Sequence, residues 1–292
     1  MLKTIVNFIK PVVERFPRLA IIYRSIRDSW DSGCEPRDTP MGFKLVGNPM
    51  MEKGCFEPLE SEWVRRIVKD VEVFINIGAN IGYYCCLTLA ERGDDFSVVA
   101  FEPIASNIDY LKKNISANSF DENVELFPMA LSDKPGLMKM YGGGVCASLV
   151  EGWEGINSLH YTHVPVNTLD NVLGGRFERK QCFILVDIEG AEYSMLKGAS
   201  CFITRDPKPV WLVEVCVNEH QPDGVKTNPD LLAVFETYWT AGYEAWTVNY
   251  NPRRVGREEI CDIAASGIDT LGTHNFVFAD KQWCDKFFAE YV

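Results

Sequence analysis

The chain has 292 residues and a formal net charge of −12, from 41 acidic against 29 basic side chains. An apolar fraction of 47% and an aromatic fraction of 12% supply a full core, so a globular protein of one large or two small domains is expected. The acidic balance argues against a general nucleic-acid binder, which needs clustered Lys and Arg to neutralise phosphate.

Residues 1–38 read as an N-terminal helical extension. Lys3, Lys10, Arg15, Arg18, Arg24 and Arg27 face only Glu14 and Asp28, while Ile5, Phe8, Ile9, Val12 and Val13 recur at helical spacing broken by Pro11 and Pro17. A basic amphipathic segment over residues 1–30 is a candidate for contact with an anionic membrane or a partner; packing on its own domain is the plainer reading. The segment lacks the long apolar core of a secretory signal, and no stretch approaches the roughly 20 apolar residues of a membrane span. A cytoplasmic protein is expected.

Residues 31–56, rich in Gly, Pro and Cys, read as an irregular connection or short strands. Beyond residue 70 strands and helices alternate. VEVFINI (71–77) is a strand and residues 80–92 a helix. SVVAFE (97–102) is a second strand, followed by a helix from Ser106, capped with Asp109, to about Asn118. NVELF (123–127) is a third strand. GGG at 142–144 and the following residues read as a flexible segment, and NSLHYTHVPV as a loop holding His160 and His163. QCFILVDI (181–188) is continuously apolar before its acid, as a strand covered on both faces is; a helix runs from there to Leu196 and stops at Gly198. VWLVEVCV (210–217) is a further buried strand. Asn228 and Pro229 cap and start a helix through Tyr238, and YEAWTVN and THNFVFA close the sheet. The alternation predicts a doubly wound, mostly parallel α/β sheet with right-handed crossovers, whose ligands bind beyond the strand carboxyl ends where strand order reverses.

The cysteines fit no disulfide framework. Cys85 and Cys86 are adjacent within a helix, Cys182, Cys201 and Cys216 lie in or beside apolar runs, and no CxxC pair occurs. Buried thiols in a reducing compartment are expected. None of the four histidines completes a zinc-ligand spacing, and no metal is expected.

The loop between the first strand and its helix reads GANIG. A dinucleotide fingerprint aligned on Gly78 needs glycines where Asn80 and Tyr83 stand, and no GK[ST] follows for a P-loop. What remains is Gly78 and Gly82, with Glu102 ending the next strand 20 residues later. That pattern suits a ribose-bearing ligand with no phosphate near the loop, as in S-adenosylmethionine, the carboxylate accepting from both ribose hydroxyls. Asp187 and Glu189 then stand where a buried apolar run meets a helix, a costly placement for charge without partners or a task. Glu192 in the first turn is explained by the helix dipole.

FINIGANIGYY, AFEP followed by Asn107, ALSD (130–133) and VDIEGAEYSMLKGA, in this order, resemble the FkbM family of S-adenosylmethionine-dependent methyltransferases. TPMGFKL (39–45) and GCFEPLE (54–60) resemble its stretch before the first strand, so residues 39–292 are read as the FkbM-like domain. The resemblance implies a Rossmann-like class I methyltransferase sheet of seven strands, the last antiparallel, and O-methylation, often of sugars or sugar-bearing small molecules. The family usually carries an acid where this chain has Asn76, so weaker cofactor binding is expected here. Asn76 is also what favours an alternative, a non-catalytic S-adenosylmethionine- or nucleotide-binding module that keeps the fold.

An oxygen acceptor asks for a general base. Asp187, Glu189 and Glu214 are the candidates, in that order. Asn76, Gly78, Ala79, Asn80, Gly82 and Glu102 are the candidate cofactor residues, with Ala130 and Ser132 bordering the adenine. His274 and Asn275 could face the site, and residues 148–163 are where acceptor contacts are sought, including a tryptophan, Trp153, that could stack on a sugar. Oligomeric state is left open.

Overall fold

The computed structural model describes residues 35–93 and 95–289. Nearly all of the expected N-terminal helical extension, and with it the basic amphipathic segment, lies outside the described residues. No helix among the described residues is long and apolar enough to cross a membrane.

Eight strands form the central sheet: β1 (Val73–Ile77), β2 (Ser97–Phe101), β3 (Val124–Phe127), β4 (Cys182–Val186), β5 (Val210–Glu214), β6 (Glu244–Thr247), β7 (Arg254–Val255) and β8 (Asn275–Ala279). They lie in the order β7-β6-β8-β5-β4-β1-β2-β3. Strands β1 to β5 run parallel, and β8 is antiparallel to both β5 and β6. This is the sheet implied by the class I resemblance, extended by the two-residue β7 at one edge. Each expected strand begins within two residues of its expected position, and β1, β3 and β8 also end where expected. β2, β4, β5 and β6 end earlier, because the acids and loop residues that follow their apolar runs leave the ladder at the carboxyl edge.

Period-two alternation sorts the strand residues into two cores. Phe74, Ala100, Phe183, Leu185 and Val277 face one layer, which includes the helices Pro58–Ile67, Tyr83–Arg92 and Ala105–Ala117. Ile75, Ile77, Val99, Ile184, Val186 and Val213 face the other, with the helices Glu192–Lys197, Leu231–Thr240 and Arg257–Ser266. A sheet covered on both faces needs continuous apolar strands, and β1, β4 and β8 are buried along their whole lengths.

Four local expectations are corrected. The helix expected from Ser106 starts at Ala105 with Ile104 as its N-cap and no side-chain cap bond, so the Ser106 capping box does not form. The helix expected from Pro229 starts at Leu231, because the Asn228 side chain is engaged by the Cys216 carbonyl and the Asp230 N–H. NSLHYTHVPV, read as a loop, instead runs into a strand, Tyr161–Asn167, of a second small sheet with Ala130–Leu131 and Gly136–Tyr141. His163 is therefore an exposed strand residue, paired across the ladder with Lys139. Finally, the described cysteines are all free, and Cys85, Cys86, Cys182, Cys216 and Cys284 are buried, but Cys201 is exposed.

The chain runs from β1 outward to β2 and β3, then returns to place β4 on the other flank of β1. Strand order therefore reverses between β1 and β4, and the two ridges that diverge there leave a crevice at the carboxyl edge.

Candidate active site

The crevice holds a cleft of about 570 Å³, part of it open to solvent. Its floor is the carboxyl ends of three strands: Ile77, Gly78 and Asn80 after β1, Phe101 and Glu102 after β2, and Asp187 to Glu189 after β4.

Gly78 has φ +88°, and a Cβ there would lie 1.8 Å from the Asp187 carbonyl oxygen. The glycine is thus required by the neighbouring strand, whose Asp187 N–H continues the ladder to the Ile77 carbonyl at 3.0 Å. Gly82, at φ +84°, lets the helix Tyr83–Arg92 pass close to Leu111, 3.0 Å from where its Cβ would sit. Between them Asn80 is also left-handed, at φ 48°, a conformation asparagine tolerates better than most side chains. The bend turns the Asn80 N–H onto Glu102 Oε2 at 2.8 Å.

Glu102 is 4% exposed. Its Oε1 accepts from the Ile104 N–H at 2.8 Å and from Asn107 Nδ2 at 3.2 Å. Burial pushes its carboxyl up to about 7, against the pull of these donors. A carboxylate has about four acceptor positions. Three are filled by protein donors. Asn107 also donates to the Gly144 carbonyl at 3.1 Å, tying the floor to the wall that Gly144, Ala147 and Leu149 form.

The opposite side is acidic. Asp187 lines the cleft, and burial, then the Glu214 and Glu57 carboxylates, push its carboxyl well above the ordinary range. Glu214, at the end of the adjacent β5, is pushed up to about 8 by burial and by Glu189 and Glu57. For both acids burial is the larger cause, and the neighbouring carboxylates add to it. Glu189 has φ 55°, a strained value for glutamate. Trp153 Nε1 donates to Glu189 Oε2 at 2.8 Å, and Ser148 Oγ donates to the Glu189 carbonyl at 2.5 Å. Glu192 is 3% exposed and accepts from the Gly190 N–H at 2.9 Å, so its place is structural.

Of the candidate cofactor residues, Gly78, Asn80, Glu102 and Ala130 line the cleft. Asn76, Ala79, Gly82 and Ser132 do not. Asn76 projects to the other side of β1, its Nδ2 donating to Cys85 Sγ at 3.6 Å and its Oδ1 buried without a partner. Ser132 is fully buried, its hydroxyl 3.1 Å from that of Ser194. Of the candidate bases, Asp187 and Glu189 line the cleft and Glu214 stands behind Asp187. Trp153 is 2% exposed; it packs over Gly190 and offers no open face to a sugar. Glu57 does not line the cleft. It lies in GCFEPLE, and its charge is felt by Asp187, Glu214 and Tyr84.

The lining suits S-adenosylmethionine. It carries Glu102, Asp187 and Glu189 and, among the described residues, no Lys, Arg or His. A phosphate would find no counter-charge there, whereas a sulfonium and an ammonium would find three carboxylates. Apolar Ile77, Phe101, Met129 and Leu131 provide a slot for a base, and Asn80 Oδ1 is buried without a partner. Among the described residues, no group of three or more His, Cys, Asp or Glu is arranged to hold a metal ion.

A family model described as the methyltransferase FkbM domain matches residues 76–244. No curated protein matches the chain. Among solved structures, the chain is similar to an O-methyltransferase from Bacillus cereus in complex with SAH (14% identity, 76% of this chain and 80% of that one, TM-score 0.42). It is also similar to a precorrin-6y C5,15-methyltransferase from Geobacter metallireducens (10% identity, 82% and 96%, TM-score 0.41). A third is the SAH-bound methyltransferase PaMTH1 from Podospora anserina (12% identity, 53% and 51%, TM-score 0.34), about half of whose length this chain spans. At such identities and scores the fold assignment rests on the strand order.

Proposed function

The chain belongs to the FkbM family of S-adenosylmethionine-dependent methyltransferases, and on that footing we propose that it methylates a hydroxyl oxygen of a carbohydrate or a glycosylated small molecule. The observation that carries this reading is Asp187, a cleft carboxyl whose proton affinity is raised by burial and by two neighbouring acids. A hydroxyl is a weak nucleophile until its proton is drawn off, so an oxygen acceptor needs such a group beside it.

When bound, S-adenosylmethionine supplies a methyl group on a sulfonium, an electrophile that needs no further activation. The protein's residues have the remaining tasks. Glu102 accepts from a ribose hydroxyl through its open Oε2 position, and Asn80 offers its unpartnered Oδ1. Ala130 borders the base. Asn76, Ala79, Gly82 and Ser132 act from behind the cleft by fixing the shape of the bend and of the wall. Asp187 takes the acceptor proton into the pair it forms with Glu214, and Glu189 orients the acceptor. Several carboxylates and no basic side chain favour an acceptor rich in hydroxyl donors over one bearing phosphate or carboxylate.

Incubation with methyl-tritiated S-adenosylmethionine and a panel of glycosides, amines and carboxylic acids tests the reading. The expected product carries an alkali-stable label on a sugar oxygen. Label on nitrogen, or as an alkali-labile ester, would overturn it.

A further inference from the structure

Asn107 lies in the first turn of the helix Ala105–Ala117 and is 5% exposed. Asparagine adds little to a helix, and a buried amide is costly without partners. Its side chain has two hydrogens to donate from Nδ2, and both partners lie outside the helix. One is Glu102 Oε1 at 3.2 Å, the other the Gly144 carbonyl at 3.1 Å. The first belongs to the cofactor side of the cleft and the second to the wall above it.

That wall is a strap, residues 142–149. It leaves the small sheet at Gly142, whose N–H donates to the His160 carbonyl at 3.0 Å. Gly143 and Gly144 have nothing within 4 Å of a would-be Cβ, so packing does not hold them there. Consecutive glycines also lose the most backbone freedom when ordered. Ala147 and Leu149 then line the cleft. Between them Ser148 exchanges two backbone bonds with Tyr141, at 2.8 and 3.0 Å, and its hydroxyl donates to the Glu189 carbonyl at 2.5 Å. The strap therefore runs from the partner of Glu102 to the backbone of Glu189, and the Asn107 amide fastens its glycine stretch.

We infer that Asn107 is a positioning residue that couples the two halves of the cleft: it passes the grip of the cofactor ribose on Glu102 to the strap that seats the acceptor-facing Glu189. The inference rests on the cofactor and acceptor roles proposed above. A ribose hydroxyl donating to Glu102 Oε2 stabilises the charged carboxylate, and a charged Oε1 holds the Asn107 amide more firmly than a neutral one. With the amide plane fixed, its second hydrogen stays aimed at the Gly144 carbonyl. Burial places the Glu102 carboxyl at about 7, so near neutral pH a ribose contact has a protonated fraction to convert. Coupling of this kind is reciprocal, so a fastened strap also tightens the hold on the cofactor.

Hydrogen–deuterium exchange over residues 142–149, with binding followed by calorimetry, tests the coupling. In the unaltered protein, saturating S-adenosylhomocysteine or 5′-methylthioadenosine is expected to slow exchange there roughly tenfold, the weight of one hydrogen bond. Adenine, which has no ribose, is expected to leave it within about twofold. Asn107→Ala is expected to bind S-adenosylhomocysteine roughly 3- to 10-fold more weakly. At saturation the variant should show no slowing over 142–149, while the helix Leu231–Thr240 exchanges as before. If Asn107→Ala does not fold, the comparison of adenine with 5′-methylthioadenosine decides alone. Equal slowing by those two ligands, no slowing by S-adenosylhomocysteine that binds, slowing retained in Asn107→Ala, or loosening that reaches Leu231–Thr240 overturns the inference and leaves the cofactor reading standing. Failure of the unaltered protein to bind S-adenosylhomocysteine overturns both.

Discussion

The indole of Trp153 donates to the carboxylate of Glu189 at 2.8 Å while its ring lies against Gly190, where a Cβ would fall 2.4 Å from the ring. One side chain thus packs the left-handed turn after β4 and stabilises the charged form of an acid that lines the cleft. Trp153→Phe removes the donor and shortens the aromatic body that lies on Gly190. It is expected to cost about 1–2 kcal/mol of stability and to raise the KM for the acceptor more than that for the cofactor. Chemical denaturation and steady-state kinetics read the two effects.

Asp187→Asn removes the proposed proton acceptor and keeps its shape. Turnover is expected to fall by roughly 10²–10⁴, with S-adenosylhomocysteine affinity within a few-fold of the unaltered protein. Because the Glu214 charge adds to the rise of the Asp187 carboxyl, Glu214→Gln should lower the rate less and shift the acidic limb of the rate–pH profile to lower pH. Transfer of labelled methyl to acceptor and calorimetry check both variants.

Glu102→Gln replaces a carboxylate that accepts from three donors with an amide whose nitrogen must face at least one of them. Affinity for S-adenosylhomocysteine and for 5′-methylthioadenosine should fall together, by roughly 10- to 100-fold, since both carry the ribose.

Gly78→Ala puts a methyl group onto the Asp187 carbonyl, at a φ that alanine avoids. The loss is expected to exceed about 3 kcal/mol, seen as a lost or strongly lowered melting transition. At Gly144, also left-handed but with nothing within 4 Å of its would-be Cβ, alanine should cost only about 1 kcal/mol.

Burial raises Glu57, Glu102 and Glu192 to about 7 and Glu214 to about 8, against about 4.3 for an unfolded glutamate. Carboxyls raised on folding contribute stability that is full below the unfolded value and is lost as pH rises through the folded one. The ligand-free protein should therefore melt lower at pH 8.5 than at pH 6, by roughly 5 °C. Saturating S-adenosylmethionine, by bringing cationic charge to these acids, should flatten that slope. Scanning calorimetry across pH with and without cofactor checks it.

The sheet was legible because its strands are apolar on both faces and the glycine bend interrupts them at a fixed place. Glu102 and Asp187 were legible as acids closing such runs. The small sheet was not, although THVPVN alternates exposed and buried residues; a glycine-rich lead-in and two histidines resembled loop chemistry. Trp153 suggested an open stacking face because a tryptophan among polar residues does not announce that its ring will be buried against a glycine 37 positions later. Gly78 pointed to the ligand, while its tightest constraint comes from a strand more than 100 residues away.

The position of β8 also governs how the chain assembles as it is made. β6 emerges from the ribosome first but has no place in the sheet until β8 is synthesised and slips between it and β5. Through that interval β5 offers an open edge and the stretch from Glu244 to Thr247 has a partner on one side only, the short β7, an exposure that chaperones are suited to cover. Translation that stalls between β6 and β8 should leave a nascent protein able to form the cofactor half of the molecule yet prone to stick to its neighbours.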